Sequence, residues 1–73
     1  MDIQNQMRLN NVVVNVLSVQ HLLDQSKIGE REALRNLHKA FDTLIDIRDQ
    51  CPDDDIQNYI DKVWDSIAIL TLN

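Results

Sequence analysis

Residues 3–24 read IQNQMRLNNVVVNVLSVQHLLD, and the repeat of their apolar side chains decides whether the chain folds as helices or as strands. The consecutive valines Val12, Val13 and Val14 favour a strand by propensity, because β-branched side chains suit strands. Strict alternation of apolar and polar residues fails at those valines, however, and a helical repeat continues for several turns on both sides. We therefore predict a helix over residues 3–24.

This first helix carries two apolar rows, although a three-helix domain needs only one for its core. At 3.6 residues per turn, the first row is entirely apolar and consists of Leu9, Val12, Val16, Val19 and Leu23. The second, which we call the outer row, lies nearly opposite and consists of Ile3, Met7, Asn10, Val14, Leu17 and His21. We expect the first row to face the core and the outer row to form an interface, since a polar residue in an apolar row can fix the register of a helix pair. The alternative is a central helix that the other two helices cover on both sides.

Residues 30–50 give the clearest helical pattern. Gly29 is a candidate N-cap, and Pro52 disfavours helical geometry at Cys51, so the second helix is predicted to end there. Its apolar side consists of Ala33, Leu34, Leu37, Ala40, Phe41, Leu44, Ile45, Ile47 and Cys51. Its exposed side is basic in the first half and acidic in the second, with Arg31, Arg35 and Lys39 followed by Asp42, Asp46 and Asp49.

A third helix is predicted over residues 54–70. Asp53 or Asp54 is expected to cap it, and Asp54 together with Gln57 fits a capping box. The residues that we expect it to bury are Ile56, Tyr59, Ile60, Val63, Trp64, Ile67 and Leu70. The apolar segment 69–73 is expected either to fold back over the end of the bundle or to join an association surface.

The connections between the three helices are short, which implies antiparallel neighbours. The predicted fold is therefore an all-α, up-down-up three-helix bundle, with residues 1–73 forming a single helical domain. A chain of 73 residues buries a small core, and its single cysteine, Cys51, excludes an internal disulfide. Oligomerisation is the remaining source of stability, and we predict a homodimer.

Seven Lys and Arg residues against twelve Asp and Glu residues give the chain a net charge of −5. This charge disfavours binding to nucleic acids and to anionic membranes, which attract cationic surfaces. The most apolar stretch, residues 12–19, is too short to span a bilayer. The first residues lack the basic region of a signal peptide, and a lone cysteine suits a reducing compartment, so we expect a cytoplasmic protein.

The residue types that carry enzyme chemistry form no pattern that indicates catalysis, so we expect no enzyme activity and no cofactor. The three aspartates at residues 53–55 lack the ligand spacing and the glycine of a calcium loop, and helix capping explains them. His21 and His38 lie on different helices without metal-ligand spacing. We therefore expect no metal site.

Size, acidity and the outer row together favour a small interaction module, such as a regulator, adaptor or inhibitor that binds a larger and basic protein. By class-level analogy, such chains are frequent among phage and mobile-element products, including antirepressors and anti-defence inhibitors. The face formed by Asp42, Asp46 and Asp49 is expected to contribute to binding this partner. The alternative is a helix-turn-helix DNA-binding regulator. It is less favoured, because the third helix has only Lys62 as a base, beside Asp61 and Asp65.

Overall fold

The computed structural model describes residues 2–72 and contains three helices, α1 (Ile3–Asp24), α2 (Glu30–Gln50) and α3 (Asp54–Leu72). The predicted bounds are confirmed except at the end of α3, which continues two residues beyond the predicted end at residue 70. Residues 2–72 contain no strand, so the valine run of α1 is helical. Met1 and Asn73, which the predicted domain includes, lie outside the described residues.

The helices run along the long axis of a bundle that measures 36 × 21 × 15 Å. Asn5 Nδ2 at the start of α1 donates to Gln50 Oε1 at the end of α2 (3.1 Å), so these two helices are antiparallel. Arg48 Nη1 near the end of α2 donates to Gln57 Oε1 near the start of α3 (2.8 Å), which fits the same relation between α2 and α3. The three helices therefore form an up-down-up bundle.

The core consists of aliphatic side chains from all three helices. As predicted, the first row of α1 faces inward: Val12, Val16 and Val19 are buried, while Leu9 and Leu23 pack at the edge of the core. The helix that contacts both others closely is α2, so the alternative in which α1 is the central helix is wrong. The remaining buried residues are Ala33, Leu37, Ala40, Leu44, Ile47, Ile56, Ile60, Val63 and Ile67.

Several residues predicted to lie in the core are only partly buried, namely Leu34, Phe41, Ile45, Tyr59 and Leu70, and Trp64 departs furthest from the prediction. Trp64 is 52% exposed, because it lies one residue after Val63 and so falls at the edge of the inward face of α3. Its ring packs against Phe41 of α2, with the centroids 5.2 Å apart. Cys51 is half-buried at the end of α2. The helix of α3 continues through Leu72 with Ile69 and Leu72 exposed, so this part of the segment does not fold back over the bundle.

Asp53 is the residue that caps α3. Its Oδ1 accepts a hydrogen bond from the backbone N–H of Asp55 (2.7 Å), which satisfies a donor that the first turn would otherwise leave without a partner. The predicted capping box is wrong, because the side chain of Gln57 donates to Asp61 and accepts from Arg48 instead of reaching back to the start of the helix.

Ser26 closes the end of α1 in a left-handed conformation, with φ of 57°. Its N–H donates to the carbonyl of Leu23 (3.0 Å), and the N–H of Lys27 donates to that of Leu22 (2.9 Å). This pair of bonds is the Schellman arrangement, in which glycine is the favoured residue at the left-handed position. A side chain at that position is strained.

We expect Ser26→Gly to raise the free energy of unfolding by about 0.5–1 kcal/mol, because glycine relieves this strain. Urea unfolding followed by circular dichroism at fixed protein concentration measures the change. The control is Ser18→Gly in the middle of α1, where glycine should instead lower stability by roughly 0.5 kcal/mol. A Ser26→Gly protein that is no more stable than the native one would contradict the strain at this turn.

Candidate functional site

The outer row of α1 lies on the surface of the molecule. Its apolar members are among the most exposed large hydrophobic residues of the chain, with exposed fractions of 80% for Ile3, 60% for Met7, 60% for Val14 and 58% for Leu17. Asn10 and His21 are also exposed. The structure therefore leaves all six residues of the row accessible to another molecule.

The surface around the outer row is almost without charge. Arg8 is the only Lys, Arg, Asp or Glu between Asp2 and Asp24. Its guanidinium turns away from the row, with Nη2 2.7 Å from Asp46 Oδ2 of α2 and Nη1 donating to Asn5 Oδ1 at 3.2 Å. The exposed side chains beside the row are amides and hydroxyls, namely Gln4, Gln6, Asn11, Ser18 and Gln20. An apolar strip with a neutral polar margin resembles the core and rim of a protein interface.

One residue of the predicted acidic face of α2 is paired with α1. Asp46 is drawn toward α1 by its ion pair with Arg8. Asp42 and Asp49 are exposed and lie alongside Ile45, since they precede and follow it by three and four residues. All three aspartates are therefore exposed, and Asp46 differs from the other two in its ion pair with α1.

A polar network at one end of the bundle was not foreseen from the sequence. Asn5 is buried, at 5% exposure, and extends the inward row of α1 by one turn. Its Nδ2 donates to Gln50 Oε1 (3.1 Å) and approaches Cys51 Sγ (3.8 Å), while its Oδ1 accepts from Arg8. The position of Asn5, four residues before Leu9 in the inward row, was the signal that could have revealed it. These bonds satisfy a buried amide and fix the alignment of α1 with α2.

A groove between α2 and α3 was also not predicted from the sequence. It is open to solvent and has a volume of about 350 Å³, and we call it the α2–α3 groove. Its lining residues are Phe41, Ile45, Arg48, Gln57, Ile60, Asp61 and Trp64. The exposure of Trp64 creates this groove, because the indole ring stands at its edge instead of filling the core.

The side chains that could hold a metal ion are dispersed over the described part of the chain. Within residues 2–72, no three His, Cys, Asp or Glu side chains converge as metal ligands would. Burial raises the pKa of the Tyr59 hydroxyl above its usual value, so this group stays protonated near neutral pH.

No helix within residues 2–72 is both long and apolar enough to cross a membrane. Lys62, the one base of α3, is exposed near Asp61 and Asp65, which offers no support for a DNA-recognition helix.

Comparisons with known proteins give no relative from which a function could be transferred. The chain matches no protein-family model, no curated protein and no solved structure.

Proposed function

We propose that the protein is a small interaction module that forms a homodimer through the outer row of α1 and acts as a regulator, adaptor or inhibitor by binding another protein. The observation that carries this proposal is the exposure of the four apolar side chains Ile3, Met7, Val14 and Leu17 along one uncharged helix face. Exposed apolar strips of this kind mark association surfaces.

The energy available from this row suits a reversible dimer. Fully burying a side chain of this size contributes roughly 1.5–3 kcal/mol, and somewhat less here because each is already partly covered. A symmetric dimer buries two copies of the row, so the total is comparable with the ~4–15 kcal/mol that association costs in lost freedom of motion. A second copy can approach this face without repulsion between charges, although each chain carries a net charge of −5.

The spacing of the outer row fits an antiparallel pair of α1 helices. Its residues alternate by four and three positions, as in a coiled coil, and are symmetric about residue 12. In an antiparallel pair, the opposed residues of the two copies are Ile3 with His21, Met7 with Leu17, and Asn10 with Val14. An antiparallel pair places the positive end of each helix dipole beside the negative end of the other, whereas a parallel pair places like ends together.

We expect the mass of the native protein to rise from 8.5 kDa toward twice that value over about a hundredfold increase in concentration. Sedimentation equilibrium measures this directly. Because the outer row is uncharged, raising the salt concentration should leave the dimer intact or strengthen it slightly.

Salt distinguishes this interface from the other way in which two copies could pair. The exposed side of α2 is basic around Arg31 and Arg35 and acidic around Asp42 and Asp49, so two α2 helices could pair in opposite directions through their charges. Such a dimer would dissociate as salt is raised, because salt screens exposed charges. Dissociation by salt, or a monomer at every concentration, would contradict the proposed use of α1.

A further inference from the structure

The α2–α3 groove has an apolar floor with an aromatic side chain at its edge. Phe41, Ile45 and Ile60 form the floor, and the half-exposed ring of Trp64 stands beside them. The contact between Trp64 and Phe41, at 5.2 Å between centroids and 41° between planes, holds the indole in place. An accessible tryptophan over an apolar pocket is the arrangement in which interface side chains contribute most to binding.

The charged side chains in and beside the groove are three aspartates and one arginine. Asp61 lines it on the α3 side, and Asp42 and Asp49 flank Ile45 on the α2 side. Arg48 is the one cation of the lining, and it is held by Gln57 (2.8 Å to Oε1) and lies 3.8 Å from Asp49. An occupant of the groove therefore meets an apolar floor between acidic margins.

We propose that the α2–α3 groove binds a basic amphipathic helix of another protein, which places an apolar side chain beside Trp64 and its Lys or Arg residues against the acidic rim. A helix laid into a groove presents apolar anchors at intervals of three and four residues, with its charges on either side. A second copy of this chain does not fit this description, because the apolar side of its own basic segment, residues 31–39, packs in the core through Ala33 and Leu37. The inference rests on the proposed function as an interaction module, but not on the dimer.

Trp64 allows the groove to be tested with a model ligand, because it is the only tryptophan of the chain. The probe is a synthetic amphipathic helix of Leu and Lys that lacks tryptophan. The control peptide is the same helix with Glu in place of Lys. We expect saturable 1:1 binding of the Lys peptide with a blue shift of Trp64 emission, and an affinity about tenfold or more above that of the Glu peptide, because the rim attracts cations. The titration is repeated on the Val14→Asp protein, in which the outer row is disabled.

Variants with equal charge changes separate the groove from the general acidity of the chain. Asp42→Asn with Asp61→Asn removes two rim charges and should weaken binding of the Lys peptide about fivefold. Asp24→Asn with Glu32→Gln removes two exposed charges that lie away from the α2–α3 groove and should leave the affinity nearly unchanged. Trp64→Ala, measured through the anisotropy of a labelled peptide, should weaken binding about tenfold.

If the two double variants weaken binding of the Lys peptide equally, the peptide responds only to net charge, and the groove is overturned as a site. An unchanged affinity of Trp64→Ala, or equal affinities of the Lys and Glu peptides, would overturn it as well. If these tests fail while the native protein still dimerises, the groove proposal falls and the α1 interface stands. If the peptide binds but the native protein is monomeric at every concentration, the groove proposal stands and the α1 interface falls.

Discussion

Val16→Asp should unfold the protein at every concentration. Val16 is 4% exposed and lies in the middle of the inward row of α1, within the aliphatic core. A buried carboxylate without a partner costs several kcal/mol. A chain of this length has a total stability of roughly 4–11 kcal/mol, so this one cost removes most or all of it. Far-ultraviolet circular dichroism should show the loss of most helical signal.

The inward row shows why a polar side chain is tolerated at one position and not at another. Asn5 occupies the same row, but Gln50 and Arg8 satisfy its amide. Val16 has aliphatic neighbours in the core. The control is Val16→Ala, which removes only methyl groups, should cost about 1–2 kcal/mol and should leave a folded protein. A Val16→Asp protein with native helicity and a native melting temperature would contradict the assignment of this row to the core.

Val14→Asp should dissociate the dimer and leave the helices intact. Val14 is only two residues from Val16, but it lies on the opposite side of α1 and is 60% exposed. In a monomer the new carboxylate stays in water. In the dimer, two copies would place unpaired charges in an apolar interface, which should weaken association about a hundredfold or more.

Asn15→Asp is the matched control for this variant. It adds the same charge at the next residue of α1, which is exposed but lies away from the outer row. Sedimentation equilibrium on the native protein and on both variants should give a dimer, a monomer for Val14→Asp and a dimer for Asn15→Asp. Equal dissociation by both variants would mean that added charge on α1, and not its position, controls assembly. A loss of helicity in Val14→Asp would mean that the outer row is needed for folding.

Most of the fold could be predicted from local signals in the sequence. The apolar repeat of residues 3–24 outweighs the strand preference of its valines because helical packing buries them on one side. Gly29 and Pro52 mark the ends of α2 because the first suits an N-cap and the second cannot continue a helix. Periodicity allowed the outer row to be either exposed or covered, and the central position of α2 in the bundle decides that it is exposed.

Features that depend on two helices at once could not be predicted in this way. The inward row places Asn5 on the buried side of α1, but only the alignment of α1 with α2 supplies Gln50 as its partner. The sequence places Asp46 on the acidic face of α2, but it does not show that Arg8 of α1 pairs with it. Trp64 lies at the edge of the inward face of α3 by its position after Val63, but its contact with Phe41 depends on how α3 is aligned with α2. Each of these outcomes depends on the alignment between helices, which periodicity within one helix does not determine.

Isotope-filtered nuclear Overhauser spectroscopy on a mixture of labelled and unlabelled protein tests the α1 interface most directly, because it detects contacts between copies only. At concentrations where the mass has doubled, we expect intermolecular signals among the methyl groups of Met7, Val14 and Leu17. The antiparallel arrangement further predicts that Met7 of one copy contacts Leu17 of the other. Intermolecular signals confined to Trp64 or Leu72, with none from the outer row, would contradict association through α1.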